Sequence, residues 1–439
     1  MRKVQARSNR SNTKLKVRID ARSAEEEVFH WPDGTEIDSG QLLLSLLLPT
    51  AVKEVFRRLE AEAEMLCGRR YERGNEYVRW GTEAGSIYLG GQKVGIRRPR
   101  VRGPEGEETL KTYEKHRDPA IFQERVYRDG VRKISQRDYK KGVERLGAAF
   151  GFSKGSVSKH WKHATEKKLK ELNERRLEGF KIVAVFIDGK RFRKEGVVLA
   201  LGVGEVGKKH VLGVYQSTTE NKTACKALLD NLERRGLPTE GLLFIVDGGT
   251  GLNSALDEKY AVHDKKERRG LRLRCHNHKF RNLEDILGKD TKAAADMSVH
   301  FWNMRNSRGR KEAEAHALKL EKVLRKANLS AYASFMEAKE DLLVLHELGL
   351  SQQLKKFFST TNPIESLNGL LEEDTRRVKR WHDSSHFQRW VATAILENEK
   401  RMRRPRGFQR IVGLRAAVQK LCKKHQVVKW VVDEAKKAA

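Results

Sequence analysis

Three acidic residues in this chain stand where an acid could do chemistry as well as carry surface charge. The apolar run Ile182–Ile187 ends in Asp188-Gly189, and the run Leu242–Val246 ends in Asp247-Gly248. Glu365 lies downstream, in the string Thr360-Thr-Asn-Pro-Ile-Glu-Ser-Leu-Asn368. An acid at the end of a buried strand projects into the crevice where α/β sheets hold their ligands. Two such strands side by side would bring Asp188 and Asp247 together, with Glu365 reaching in from a helix. Three crowded carboxylates repel one another unless cations neutralise them. Hard oxygen donors suit Mg²⁺ or Mn²⁺. Two such ions roughly 3.5–4 Å apart can activate an attacking oxygen and stabilise a leaving 3′ oxygen at phosphorus. Taken singly, each Asp-Gly also reads as ordinary hairpin-turn chemistry. Two matching endings in one strand-rich block favour the paired reading.

Between Asp247 and Glu365 sits Cys275-x-x-His278, within Arg274-Cys-His-Asn-His-Lys-Phe-Arg-Asn282. One reading makes this pair half of a zinc site, with Cys422-x-x-His425 as a second half, although zinc ligand pairs usually lie closer in sequence. Another has His278 touch a phosphate of a bound nucleic acid while Cys275 supports it, and a third makes His278 a satisfied core histidine. His276 is expected at the surface.

The field around these residues is strongly positive: 90 Lys and Arg against 59 Asp and Glu give a net charge of +31. Such a field attracts polyanions, with DNA or RNA the first candidates. A basic membrane-surface protein would want a long amphipathic helix or a lipidation signal, and neither is present. Ribosomal proteins share the charge but are usually short. The four cysteines form no dense framework, which fits a reducing cytosol. The basic start Met1-Arg-Lys-Val has no apolar core behind it, so it does not read as a secretory signal. The apolar cluster Leu42–Leu48 is too short to span a bilayer. A soluble protein without membrane partners is expected.

The elements that must position the acids follow from composition and periodicity. Residues 1–36 read as a flexible basic arm. Over 37–118, helical spacing (Leu43, Leu47, Val52, Val55, Phe56, Leu59), interrupted at Pro49, precedes a small glycine-punctuated β element around Gly85–Gly103. Helices resume near Pro119 and continue past Leu172, over 119–178. Within them Ser135–Ala148 and Phe152–Trp161 read as helix, turn, helix, with Ser153 as an N-cap. Lys154, Ser156 and Lys159 then have the chemistry for phosphates and base edges. A plain helical hairpin with a solvated polar face fits the same spacing, and the net charge tips the reading towards DNA.

The block 179–282 is predicted to alternate strands (Ile182–Ile187, Val197–Val203, Val211–Tyr215, Leu242–Val246) with a helix at Lys222–Arg234. Two of these runs are apolar without alternation, as in strands covered on both faces. The chain turns helical after Arg281, so 283–358 reads as an all-α insertion. Residues 359–406 complete the core with Glu365, and 407–439 form a basic helical tail. Lys190, Arg191, Arg193, Arg274, Lys279 and Arg281, with Arg376, Arg377, Lys379 and Arg380 beyond Glu365, are candidates to line a groove for a phosphate backbone. A solvated charged face is the alternative for about half of them. Trp381 and Trp390, at helical spacing, are more often core than base-stacking.

The order Asp188-Gly, Asp247-Gly-Gly-x-Gly-Leu, Arg-Cys275-x-x-His278-Lys-x-Arg-Asn and Thr-Thr-Asn-x-Ile-Glu365-Ser-Leu-Asn resembles the Mutator-type transposases of bacterial insertion sequences. The likeness reaches back to Arg70-Tyr-Glu-Arg-Gly and on to Arg376-Arg-Val-Lys-Arg-Trp381. It is weakest over the basic arm. It implies an α/β chain with an RNase H-like core and a helical insertion before the final acid, preceded by a mostly helical DNA-binding region. Asp188, Asp247 and Glu365 match the family's catalytic triad, and the resemblance implies two Mg²⁺ or Mn²⁺ ions there. It puts Cys275 and His278 near the active site. It further implies cleavage of double-stranded DNA at the element's terminal inverted repeats and joining of the freed 3′-hydroxyl to target DNA. The working form would be a homodimer or larger on DNA, in the bacterial cytoplasm at the nucleoid. A catalytically silent DNA-binding regulator and an RNase H-like nuclease are the alternatives. Retention of all three acids argues against the regulator.

Overall fold

The computed structural model describes residues 29–30, 36–37, 39–72, 76–89, 92–131, 149–150, 153–217, 219, 221–262, 264, 267–376, 378 and 380–423. Most of the expected basic arm, the first helix of the expected helix-turn-helix, Arg377, Lys379 and His425 lie outside them. The chain divides into two compact units, Met1–Ala164 and Thr165–Ala439.

In the first unit, the two-residue strands β1 (Phe29–His30) and β2 (Glu36–Ile37) pair antiparallel. The helix Ser39–Cys67 brings Val55, Leu59, Ala63 and Cys67 to one face at four-residue spacing. That face packs with Ile87, Ile96 and Val101 of a sheet built from β3 (Val78–Leu89), β4 (Gln92–Gly103) and β5 (Gly106–Glu108). The helix runs through Pro49 where the sequence suggested a break. A proline gives up one ladder bond there, and the apolar face downstream holds the helix in place. The residues between Pro119 and Leu172 are not helical throughout, because Ala149–Phe150 forms a strand, β6, against Lys93 and Val94 of β4. The helix Lys154–Glu174 follows, and Ser153 caps it by accepting the Ser156 N–H at 3.2 Å.

The second unit is built on a five-stranded sheet. Strands β7 (Ile182–Phe192), β8 (Glu195–Gly204) and β9 (Lys209–Gln216) form an antiparallel meander. Strands β10 (Leu242–Val246) and β11 (Gly270–Arg274) add in parallel beyond β7. The class is α/β. The runs Ile182–Ile187 and Leu242–Val246 are buried at every position because both sheet faces are covered. Leu228, Leu232, Leu252 and Leu256 cover one face, from the helices Lys222–Arg234 and Thr250–Tyr260. Phe358, Leu367, Leu371, Val391 and Ile395 cover the other, from Gln352–Phe358, Asn362–Thr375 and Ser384–Glu399.

Two boundaries differ from the sequence reading. Strand β7 does not end at Asp188-Gly189 but continues to Phe192, because antiparallel pairing with β8 carries on past it, Asp188 opposite Leu199. The helical run begins at His276, before Arg281, with Cys275 in extended conformation as its N-cap. The four helices His276–Leu287, Lys292–Asn306, Arg310–Ala327 and Leu329–Leu343 share a core of their own, centred on Phe301, Leu320 and Phe335. No helix among the described residues is long and apolar enough to cross a membrane.

Candidate active site

The parallel register of β7 and β10 aligns the two aspartates. Phe186 lies opposite Ile245, a register that directs Asp188 of β7 and Asp247, the residue that follows β10, to the same end of the sheet. Glu365 sits in the first turn of the Asn362–Thr375 helix, where its N–H donates to Thr361 O at 3.0 Å. An acid is favoured at this positive end of a helix. Burial first, then the Asp247 and Glu365 carboxylates, push the Asp188 carboxyl up to about 6, although His278 pulls the other way. Asn368 Nδ2 donates to Asp188 Oδ2 at 2.7 Å, and Asp247 Oδ1 accepts the Gly249 N–H at 3.1 Å.

The residue after Asp247 has to be glycine for two reasons. Gly248 has φ +105°, and a β-carbon there would lie 2.0 Å from the guanidinium carbon of Arg274. Arg274 is itself buried and held by Glu337 at 2.7 Å. The turn after β10 thus packs against a charged side chain of the neighbouring strand.

Cys275 and His278 stand beside Glu365, and Thr361 links all three. The Cys275 N–H donates to Val246 O at 2.8 Å, which joins the start of its helix to the end of β10. Its sulfur accepts the Thr361 N–H at 3.4 Å and the Thr361 hydroxyl at 3.3 Å. The same hydroxyl lies 3.3 Å from His278 Nδ1 and contacts Glu365 Oε1 closely. His278 Nε2 is 3.9 Å from Glu365 Oε1. Hydrogen bonding to Cys275 raises His278 to about 9, against the effect of its partial burial. Burial pushes the Cys275 thiol up, but its bonds to His278 and Thr361 outweigh this and hold it below the ordinary thiol value. The thiol, imidazole and carboxylate ligand atoms all lie within 4.8 Å of one another.

Over residues 34–404 the chain matches the family described as Transposase, Mutator family. The chain belongs to that family. Three similar proteins are named as insertion-sequence transposases. One, for element IS905 of Lactococcus lactis subsp. lactis (strain IL1403), is 25 % identical over 61 % of this chain and 66 % of its own length. One for IST2 of Acidithiobacillus ferrooxidans is 27 % identical over 47 % of this chain and 66 % of its own length. One for IS1201 of Lactobacillus helveticus is 24 % identical over 77 % and 88 %. The chain therefore spans just under two thirds of the first two relatives.

Within this family member the basic candidates separate by environment. Lys190 is partly exposed and pairs with Glu372 at 3.0 Å, and the exposed Arg193 donates to Arg376 O at 3.2 Å. Arg191, Arg281, Arg376 and Arg380 are exposed. Arg274 and Lys279 face inward: both are buried and bonded to Glu337, and Lys279 also donates to Ser334 O at 3.0 Å. In the first unit Lys154 and Lys159 are exposed and Ser156 is half-buried.

His276, expected at the surface, is fully buried. It lies against Phe301 in the helical core, with its backbone N–H on Ser359 O at 2.8 Å. Burial, then the charges of Arg305 and His346, depress it to about 3. Cys422 is buried in the main core. Trp381 packs edge-on against Phe387 at 5.1 Å, and Trp390 Nε1 donates to His386 Nε2 at 3.0 Å.

Thr361 and Asn368 belong to the site but were not singled out in the sequence. Their signal was present: one lies four residues before Glu365 and the other three after it, the spacing that puts side chains on one face of a helix.

Proposed function

We propose that this chain is a DNA transposase with an RNase H-like catalytic core, cleaving insertion-sequence ends and joining the 3′-hydroxyl to a new phosphodiester. One observation carries the reading: the parallel register of β7 and β10 directs Asp188 and Asp247, the residue that follows β10, to the same end of the sheet. Burial, then the Asp247 and Glu365 carboxylates, raise the Asp188 carboxyl, and acids that act on one another in a basic protein fit a site that binds divalent cations. The antiparallel meander β7-β8-β9 extended in parallel by β10 and β11 supports the RNase H-like assignment.

Asp188, Asp247 and Glu365 would hold Mg²⁺ or Mn²⁺, two ions, and their all-oxygen donor set suits either. Such ions, when bound, supply Lewis-acid stabilisation of the attacking and leaving oxygens at phosphorus. The chain's own residues prepare the site. Asn368 fixes one Asp188 oxygen. The Gly249 N–H orients Asp247, and Thr361 anchors Glu365 to the Cys275–His278 pair. Lys190, Arg191, Arg193, Arg281, Arg376 and Arg380 would hold the phosphate backbone of terminal repeats and target, with Lys154, Ser156 and Lys159 as further contacts from the first unit. The working form is a dimer or larger on DNA, at the bacterial nucleoid.

The test is incubation of purified protein with a labelled duplex carrying the element's terminal repeats, with Mg²⁺ and with EDTA. Metal-dependent nicking with joined products supports the proposal. Nicking without joining would favour a nuclease, and binding without nicking a silent regulator. Cleavage that survives Glu365→Gln would remove that residue from the site.

A further inference from the structure

Glu365 faces groups of two chemical characters. Towards the strands its charge acts on the Asp188 carboxyl. Towards the His276–Leu287 helix it joins a sulfur and an imidazole, all within 4.8 Å. Magnesium has little affinity for sulfur, whereas zinc takes cysteine, histidine and carboxylate together. The set is built into the fold. Cys275 is fully buried at its floor, while the side chains of His278 and Glu365 keep 32 % and 40 % exposure and leave an approach from solvent. The Thr361 hydroxyl borders all three ligands, 3.3 Å from both Cys275 Sγ and His278 Nδ1 and in close contact with Glu365 Oε1. Cys275 caps one helix and Glu365 lies in the first turn of another, where the positive helix ends favour the thiolate and carboxylate forms that bind a cation.

We propose that Cys275, His278 and Glu365 form a zinc site, and that zinc held there keeps Glu365 from joining Asp188 and Asp247 and so switches the enzyme off. A water would complete the tetrahedron that three protein ligands leave open. Binding releases to solvent the protons that the thiol and the imidazole carry and needs no redox partner. The inhibitory half rests on the function proposed above, whereas the binding half does not.

The metal-free full chain is titrated with Co²⁺, whose thiolate bond gives a near-ultraviolet charge-transfer band, and then with Zn²⁺ to displace it. The expected result is a band from a single ion per chain that is lost in Cys275→Ser and kept in Cys422→Ser. His278→Gln should weaken Zn²⁺ binding by at least about tenfold. Absence of the band, or its survival in Cys275→Ser, overturns the site. Should Cys275→Ser fail to fold by circular dichroism, unchanged Zn²⁺ affinity in His278→Gln overturns it instead. In duplex cleavage supported by Mg²⁺, filling the site with Zn²⁺ should abolish nicking, and full activity with the site filled overturns the inhibitory role. Lack of cleavage with Mg²⁺ alone would count against the transposase reading and leave the Co²⁺ result to decide the zinc site.

Discussion

Asn368 donates its side-chain amide to Asp188 at 2.7 Å from a position one helical turn beyond Glu365. One bond thus ties the acid on the strand to the helix that carries the last acid. Asn368 is 3 % exposed, so the bond is shielded from water and strong enough to orient the carboxylate. Asn368→Ala is expected to slow Mg²⁺-dependent nicking by about 10–100-fold and to raise the Mg²⁺ concentration required. Asn368→Asp should be worse, since it adds a fourth carboxylate to the cluster. Nicking rates across a Mg²⁺ titration check both, and an unchanged Mg²⁺ requirement in Asn368→Ala would contradict the role.

The raised Asp188 carboxyl makes the metal-free protein less stable as pH rises. Its folded value is about 6 against an ordinary 3.8. Below the lower value the group is neutral in both states and has no effect. Between the two, the folded chain holds a proton that the unfolded chain has lost, so stability falls with rising pH, and the whole penalty is present above about pH 6. Asp188→Asn removes it. In EDTA the variant should be more stable than the parent by about 1–3 kcal/mol at neutral pH, with the difference closing towards about pH 4. Mg²⁺ should raise the melting temperature of the parent and not of the variant. A variant less stable at neutral pH would show that burial of this acid costs nothing.

The sequence is most legible where burial is continuous. Ile182–Ile187 and Leu242–Val246 could be read as strands because no polar side chain interrupts them. Strand β11 could not, because Gly270-Leu-Arg-Leu-Arg274 carries two arginines that look exposed. Arg272 is hidden by Asp341 at 2.7 Å, and Arg274 by Glu337, partners more than sixty residues away in sequence. Lys279 was read as a groove residue and is buried by the same long-range pairing with Glu337. His276 shows the limit from the other side: one imidazole in a charged stretch gives no sign of the helical layer that covers it. The acids themselves were legible through motif order, but their alignment depends on the register of β7 and β10, which local pattern does not carry.

The glycine after Asp247 gives a backbone test. Gly248→Ala must strain a positive φ and push a methyl into the Arg274 guanidinium, which Glu337 holds in place. The strain alone is worth about 1–3 kcal/mol, and displacing a buried arginine adds to it. The variant should unfold at lower denaturant than the parent and lose nicking even where it remains folded, because the Gly249 N–H that orients Asp247 lies in the same turn. Circular dichroism with a nicking assay at low temperature separates the two losses. Wild-type nicking by a folded Gly248→Ala protein would show that the turn does not position Asp247.

Glu399 offers a contrast, a half-buried acid that supports the fold without touching the site. It accepts from Arg175 at 2.9 and 3.1 Å, from the Val211 N–H at 2.7 Å, and lies 3.4 Å from His210, which ties the Ser384–Glu399 helix to β9. Burial alone would raise its carboxyl, but hydrogen bonds to His210 and Arg175 hold it at about 2, against an ordinary 4.5. A depressed acid contributes stability that is present above the ordinary value and lost as pH falls towards the folded one. Glu399→Gln leaves Arg175 partly buried without its counter-charge and should cost about 3–5 kcal/mol near neutral pH. The deficit against the parent should narrow as both are taken towards about pH 3, which urea unfolding across that range measures. Since Glu399 contacts none of Asp188, Asp247 or Glu365, the fraction that stays folded should keep the parent's Mg²⁺ requirement. Asn368→Ala should do the reverse, shifting the Mg²⁺ requirement in a protein that remains folded, and the pair of variants distinguishes positioning of the acids from stability of the sheet beneath them.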